Sequence, residues 1–181
     1  MGNRKQARDE EFRGFVMSCW SRLMRMAYLL TGQQQAAEDL VQSSLERAYA
    51  SWRTVSSADD PHAYVRRILI NLHARRHRRG LKEFLSARDD ASLGELGDGP
   101  ARGDTVAQAE DRSMLLRALA QLPTRQREAV VLRYWEDLTE TQAAAAMGCS
   151  VGTVKSNAAK GIAKLREVPG LMDTMMSGGR K

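Results

Sequence analysis

The sequence predicts an all-α protein made of two small helical domains joined by a flexible linker. Three observations carry that expectation. Apolar residues recur at helical spacing in both halves of the chain. The stretch between the halves loses that spacing and turns to Gly, Asp, Ser and Ala. Near the end, a short alanine-rich segment, a glycine turn and a capped helix follow one another in helix-turn-helix order. The boundaries so read are 9–80 for the first domain, 81–112 for the linker, 113–168 for the second domain and 169–181 for a tail.

In the first domain, Phe12, Phe15, Val16, Cys19, Trp20, Leu23, Ala27 and Leu30 make one continuous apolar stripe, which Thr31-Gly32 ends. Ala37, Leu40, Val41, Leu45, Ala48, Tyr49 and Trp52 make a second stripe, with Glu38 and Asp39 in the early turns where the helix dipole favours acids. VSSADD reads as a loop, and Asp60-Pro61 reads as an N-cap followed by proline at the first helical position. The third helix turns Val65, Ile68, Leu69 and Leu72 inward. Its remaining surface is basic, with Arg66, Arg67, Arg75, Arg76, Arg78, Arg79 and Lys82.

A linker of ~30 residues spans about 100 Å fully extended and averages ~30 Å as a flexible coil. Beyond it, Met114, Leu115, Ala118, Leu119 and Leu122 resume the helical period up to Pro123. Thr124 is a candidate cap for a helix running to about Trp135. Thr139-Glu-Thr-Gln142 has the spacing of a capping box opening a short helix to Met147, and Gly148-Cys149-Ser150 makes the turn. In the last helix Val151, Val154, Ala158, Ile162 and Leu165 share one face at 100° per residue, opposite Thr153, Ser156, Lys160 and Lys164.

Physical chemistry suggests what that outer face is for. Ser150 can cap the helix, Gly152 removes bulk where another surface must come close, and the free amides of the first turn suit a phosphate. Thr153, Ser156 and Asn157 can hydrogen-bond base edges in a major groove, whereas Lys155 and Lys160 suit phosphates. The formal net charge of +6 fits a polyanion binder, and 43% hydrophobic residues suffice for a core.

Other chemistries find little support. Cys19 and Cys149 are too far apart in sequence for a CxxC pair or a zinc set and read as reduced, buried hydrophobes. His73 and His77 have a metal-capable spacing, but no carboxylate or cysteine near them completes a site and arginines crowd them. GDGPARGD lacks the strand and GK signature of a nucleotide loop. No enzyme active site, cofactor or metal is expected. The start MGNRKQARDE has no apolar centre and no run reaches the ~20 residues of a membrane span, so a cytoplasmic protein without membrane insertion is expected.

AEDLVQSSLERAYASW, followed by PHAYVRRILINLHARRHRR, resembles region 2 of extracytoplasmic-function (ECF) RNA polymerase sigma factors. LPTRQREAVVLRYWEDLTETQAAAAMGCSVGTVKSNAAKGIAKLR resembles their region 4. Both matches come in the expected order across an unmatched linker, and FRGFVMSCWSRLMRMAYLLTG is most similar to the actinobacterial, sigma-E-like branch. The resemblance implies a sigma factor that joins core RNA polymerase and directs promoter recognition, duplex opening and initiation, with an anti-sigma factor as a candidate further partner. It implies polymerase contacts at Glu38, Asp39, Leu40, Val41, Gln42 and Glu46. It also implies that the loop from Val55 to Asp60, with Asn71, Arg75, Arg76, Arg78 and Arg79, meets the strand-opened proximal element. Ser150, Gly152, Thr153, Lys155, Ser156, Asn157 and Lys160 would then read the distal element as duplex. Tyr64 stands where many relatives carry Trp. The competing readings are a stand-alone helix-turn-helix regulator, which leaves DLVQ and the basic third helix unexplained, and an RNA-binding anti-terminator using the arginine-rich helix.

Overall fold

A computed structural model describes residues 2–86 and 106–171, with side chains described for 5–78 and 112–171. The described residues are helical and contain no strand. The first domain comprises α1 (Gly2–Thr31), α2 (Gln34–Ala50), α3 (Trp52–Ser56) and α4 (Pro61–Ser86). The second comprises α5 (Val106–Ala120), α6 (Thr124–Val130) running into a π-helical turn (Val131–Trp135), α7 (Glu140–Met147) and α8 (Val151–Arg166). The regular helices α4 and α5 extend into the expected linker from both sides. The tail methionines Met172, Met175 and Met176, and the side chains of Arg79 and Lys82, lie outside the described residues.

Local chemistry explains the boundaries. Gly32 ends α1 with a φ of 73°, a conformation that costs glycine nothing. Asp60 Oδ1 accepts from the Ala63 amide at 2.9 Å and so caps α4. At Ser51 the second stripe breaks, and Trp52–Ser56 forms its own short helix where sequence alone expects Trp52 to end α2 and Val55 and Ser56 to sit in a loop. Trp52 still turns inward, edge-on to Phe12 at 5.1 Å, with its Nε1 donating to Glu11.

Thr139 and Gln142 form the expected capping box reciprocally: the Gln142 amide donates to Thr139 Oγ1 at 3.2 Å and the Thr139 amide donates to Gln142 Oε1 at 2.9 Å. Pro123 rather than Thr124 holds the N-cap of α6, and no side chain caps that end.

One hydrophobic core runs through both domains. Leu30, Leu40, Val41, Leu69 and Ile70 of the first domain and Ala129, Val131, Leu132, Ala143 and Met147 of the second belong to it. Each of the leucine, isoleucine, valine and methionine side chains contributes on the order of 1.5–3 kcal/mol by leaving water. The α4 helix is therefore covered on two sides. Besides the predicted inward stripe it buries Ile70, Arg66 and His73, because α6 and α7 lie against it. Arg127 ties the assembly polar-wise: its guanidinium donates to Leu30 O at 2.6 Å, Ala120 O at 2.9 Å and Leu122 O at 3.2 Å. These carbonyls sit at or just beyond the last turns of α1 and α5, where none would otherwise have a helical partner.

Candidate nucleic-acid interface and an acidic ridge

The α8 helix presents the face read from sequence. Its apolar side buries Val154, Ala158 and Leu165, while Thr153, Ser156, Lys160 and Lys164 are exposed. Ser150 caps the helix by accepting from the Thr153 amide at 3.2 Å. A Cβ added at Gly152 would meet only Ser150 Oγ, at 3.9 Å, so the first turn is open to an approaching surface. Several of the polar side chains already hold local partners: Ser150 and Thr153 share a hydroxyl contact at 2.9 Å, and Asn157 Nδ2 donates to Thr153 O at 2.8 Å. Lys155 Nζ lies 3.2 Å from Glu140 on α7.

On α4, Arg67, Asn71, Arg75 and Arg78 are exposed and fall on one side at 100° per residue. Arg67 also lies over the Tyr64 ring at 5.1 Å, a cation–π contact. Arg76 is engaged elsewhere, donating to Asp39 O at 3.1 Å and Ser43 Oγ at 2.9 Å, and so clamps α4 to α2. Arg66, read from sequence as part of the basic surface, is instead only 8% exposed.

The α2 helix carries an acidic ridge. Gln34 donates to Glu38 at 2.6 Å, Gln35 to Asp39 at 3.2 Å and Gln42 to Glu46 at 3.0 Å, each glutamine steadying the acid four residues on. Leu40 and Val41 differ from their neighbours on the ridge. Both are 0% exposed, so neither presents its side chain to a partner. An open groove of about 780 Å³ between α1 and α2 supplies the apolar surface beside the ridge, lined by Phe12, Val16, Trp20, Leu45 and Tyr49 with Glu38, Gln42 and Glu46 at its edge. Trp20, expected in the core stripe, is half exposed there.

A further constellation joins the two domains and escaped the sequence reading. Glu128, 0% exposed, accepts from His73 Nδ1 at 2.8 Å and from Arg125 Nη1 at 3.0 Å. Glu136, at the end of the π-turn, accepts from Arg22 Nε at 2.7 Å and lies 3.8 Å from Arg66 Nε. Burial first and Arg22 second push the Arg66 pKa down, while Glu136 and Asp60 push it back up.

Burial also lowers the His77 pKa, helped by the charges of His73 and Arg127. Among the described residues no group of three or more His, Cys, Asp or Glu could hold a metal ion. A signal was present in the sequence: Glu128 stands three and four residues before the core residues Val131 and Leu132, which puts an acid on an apolar face.

Residues 15–82 match the family model Sigma-70 region 2, and residues 112–165 match Sigma-70, region 4. The chain is 35% identical to the RNA polymerase sigma-E factor of Streptomyces coelicolor, over 87% of this chain and 85% of that one. It is 31% identical to the ECF RNA polymerase sigma factor EcfG of Rhodopseudomonas palustris, over 86% and 83% respectively. Among solved structures it is similar to the sigma factor RpoE of Bartonella quintana, in complex with the anti-sigma factor NepR. The TM-score is 0.73 and the identity 26%, across 88% of this chain and 96% of that one. Among the described residues no helix is long and apolar enough to cross a membrane.

Proposed function

The chain belongs to the extracytoplasmic-function RNA polymerase sigma factors, and on that basis we propose a division of labour among its helices. The acidic ridge of α2, with Glu38, Asp39, Gln42 and Glu46, docks on a basic surface of core RNA polymerase. The ridge acids are held in place beforehand by the glutamines four residues earlier, so less side-chain freedom is lost on docking. The groove formed by Val16, Trp20 and Leu45 contributes the apolar share of that contact, a role the buried Leu40 and Val41 cannot perform through their side chains.

The α4 stripe of Arg67, Asn71, Arg75 and Arg78, with the loop ending at Asp60, holds the displaced strand of the opened proximal element. A positive track neutralises the backbone while an aromatic or guanidinium plane stacks a base; Tyr64 and Arg67 provide both kinds of plane. Separately, α8 enters the major groove of the distal element, with Thr153, Ser156 and Asn157 toward base edges and Lys155 and Lys160 toward phosphates. Catalysis belongs to the polymerase, and the protein works in the cytoplasm where that enzyme acts. An anti-sigma factor is a natural partner, since the similar RpoE was solved with one.

The observation that carries this reading is the pairing, in one chain and in order, of the two sigma regions. Pull-down with core RNA polymerase followed by run-off transcription tests it. Assembly and promoter-dependent transcripts are expected. Tight binding to one duplex site without assembly would make the protein an ordinary regulator.

A further inference from the structure

We infer that this chain latches itself shut, with Glu136 and Glu128 of the second domain docked on Arg22, Arg66 and His73 of the first, and that this docking breaks before α4 and α8 engage separate promoter elements. The inference rests on the reading of α4 and α8 as the two promoter-facing helices. Four features support it.

The latch is chemically one-sided. Both carboxylates come from the second domain and their cross-domain partners come from the first, at 2.7 Å for Arg22, 3.8 Å for Arg66 and 2.8 Å for His73. The acids thus occupy donors that a nucleic-acid phosphate could otherwise take, and Arg66 lies on α4 next to the exposed Arg67.

The docked state also crowds the start of α4. There Asp60, Ala63, Tyr64 and Arg67 face Gln142 and Ala145 of α7 across a cleft of about 270 Å³. A displaced strand needs a continuous track several nucleotides long, and α7 closes this one from the side. The outer face of α8 stays exposed in the same state, so only the strand-holding site is restricted.

The α7 part of the interface is built to part. The helix packs against α4, and the buried residues it carries are mostly small: Ala143, Ala144 and Ala146, with Met147 as the one larger side chain. Alanines bury little area each, so lifting α7 from α4 loses little apolar burial, and the carboxylates and guanidinium groups of the seam recover water on separation.

The π-turn that aims Glu136 is the fourth feature. The Glu136 amide donates to Val131 O at 3.1 Å, five residues back, and this wider turn sets the carboxylate toward α1 and α4. Such turns are rare and cluster where a side chain has a special task.

Small-angle scattering on the full chain at low salt tests the latch without polymerase, so its result stands apart from that of the pull-down. A compact chain of this length has a radius of gyration of about 16 Å, and two domains freed on their linker exceed about 20 Å. The wild type is expected near the lower value. Glu136→Arg, which sets a third positive charge beside Arg22 and Arg66, is expected beyond the higher one with helicity by circular dichroism unchanged. Adding Arg22→Glu to that variant should restore at least half of the compaction. Should Glu136→Arg fail to fold, Glu136→Gln is expected to expand the chain by a smaller step that grows with salt. A wild type already above about 20 Å, or folded Glu136 variants as compact as the wild type, would overturn the inference.

Discussion

Lys155 has two competing partners. In the free protein its ammonium lies 3.2 Å from Glu140, and on DNA the same group is assigned to a phosphate. An exposed pair of this kind is worth little, so a duplex can take the lysine at small cost. Replacing Lys155 and Lys160 with alanine should therefore weaken distal-element binding and lower the slope of log K against log salt by about 1–2, since each neutralised phosphate contributes roughly 0.9. Fluorescence anisotropy over a salt series measures it, and an unchanged slope removes both phosphate contacts.

The cysteines give a second residue-level prediction. Burial raises the thiol pKa of both Cys19 and Cys149, against a backbone hydrogen bond at Cys19 and the Arg125 charge at Cys149, which pull down. A raised pKa leaves less thiolate at neutral pH, and the thiolate is the nucleophile. Iodoacetamide should label the native chain at pH 7.5 more slowly than the urea-unfolded chain, with the native rate still rising at pH values where the unfolded rate has levelled off. Single residues also mark where sequence reasoning stops. Spacing puts Leu40 and Val41 in the second apolar stripe beside the acidic ridge, but whether a residue on a helix edge is covered depends on a neighbouring helix. Arg66 looked like solvated charge for the same reason.

Among the helices, α8 was legible nearly to the residue because its signals are local: a Ser150 cap, a one-sided apolar stripe and a glycine turn before it, where Gly148 takes a φ of 62°. The π-turn was not legible, since an extra residue in a helical turn leaves the apolar pattern of Ala129 to Leu132 almost unchanged. The contact of α8 with α6 is tight enough to test. A Cβ at Gly161 would stand 2.6 Å from Val130 Cγ2 and 3.3 Å from Gln126 O. Overpacking of this sort costs about 1–3 kcal/mol, and alanine's better helix propensity returns at most about 1 kcal/mol. Gly161→Ala should therefore lower stability by roughly 1–2 kcal/mol in urea unfolding. Gly152→Ala, facing open space, should be neutral or slightly stabilising. Equal effects at the two glycines would mean that α6 and α8 are not in close contact.

The division of the molecule into two helical units could be read from the sequence because periodicity and its loss are one-dimensional signals. Their docking could not. It depends on pairs such as His73 with Glu128 and Arg22 with Glu136, 55 and 114 residues apart, and nothing local marks which acid meets which base. The acidic ridge of α2 lies apart from that seam, so polymerase assembly and DNA binding can be separated experimentally. Asp39 is exposed, and its known ties are the Gln35 amide and, through its backbone carbonyl, Arg76. Asp39→Arg leaves the backbone bond in place and reverses the charge offered to the partner. It should reduce holoenzyme formation about tenfold or more, as expected when one member of a close interfacial charge pair is reversed. The full-length variant should still bind distal-element duplex within about twofold of wild type, because α8 is untouched. Measuring both with the same preparation decides the matter: loss of assembly with retained duplex binding assigns Asp39 to the polymerase contact, whereas normal assembly removes it from that surface.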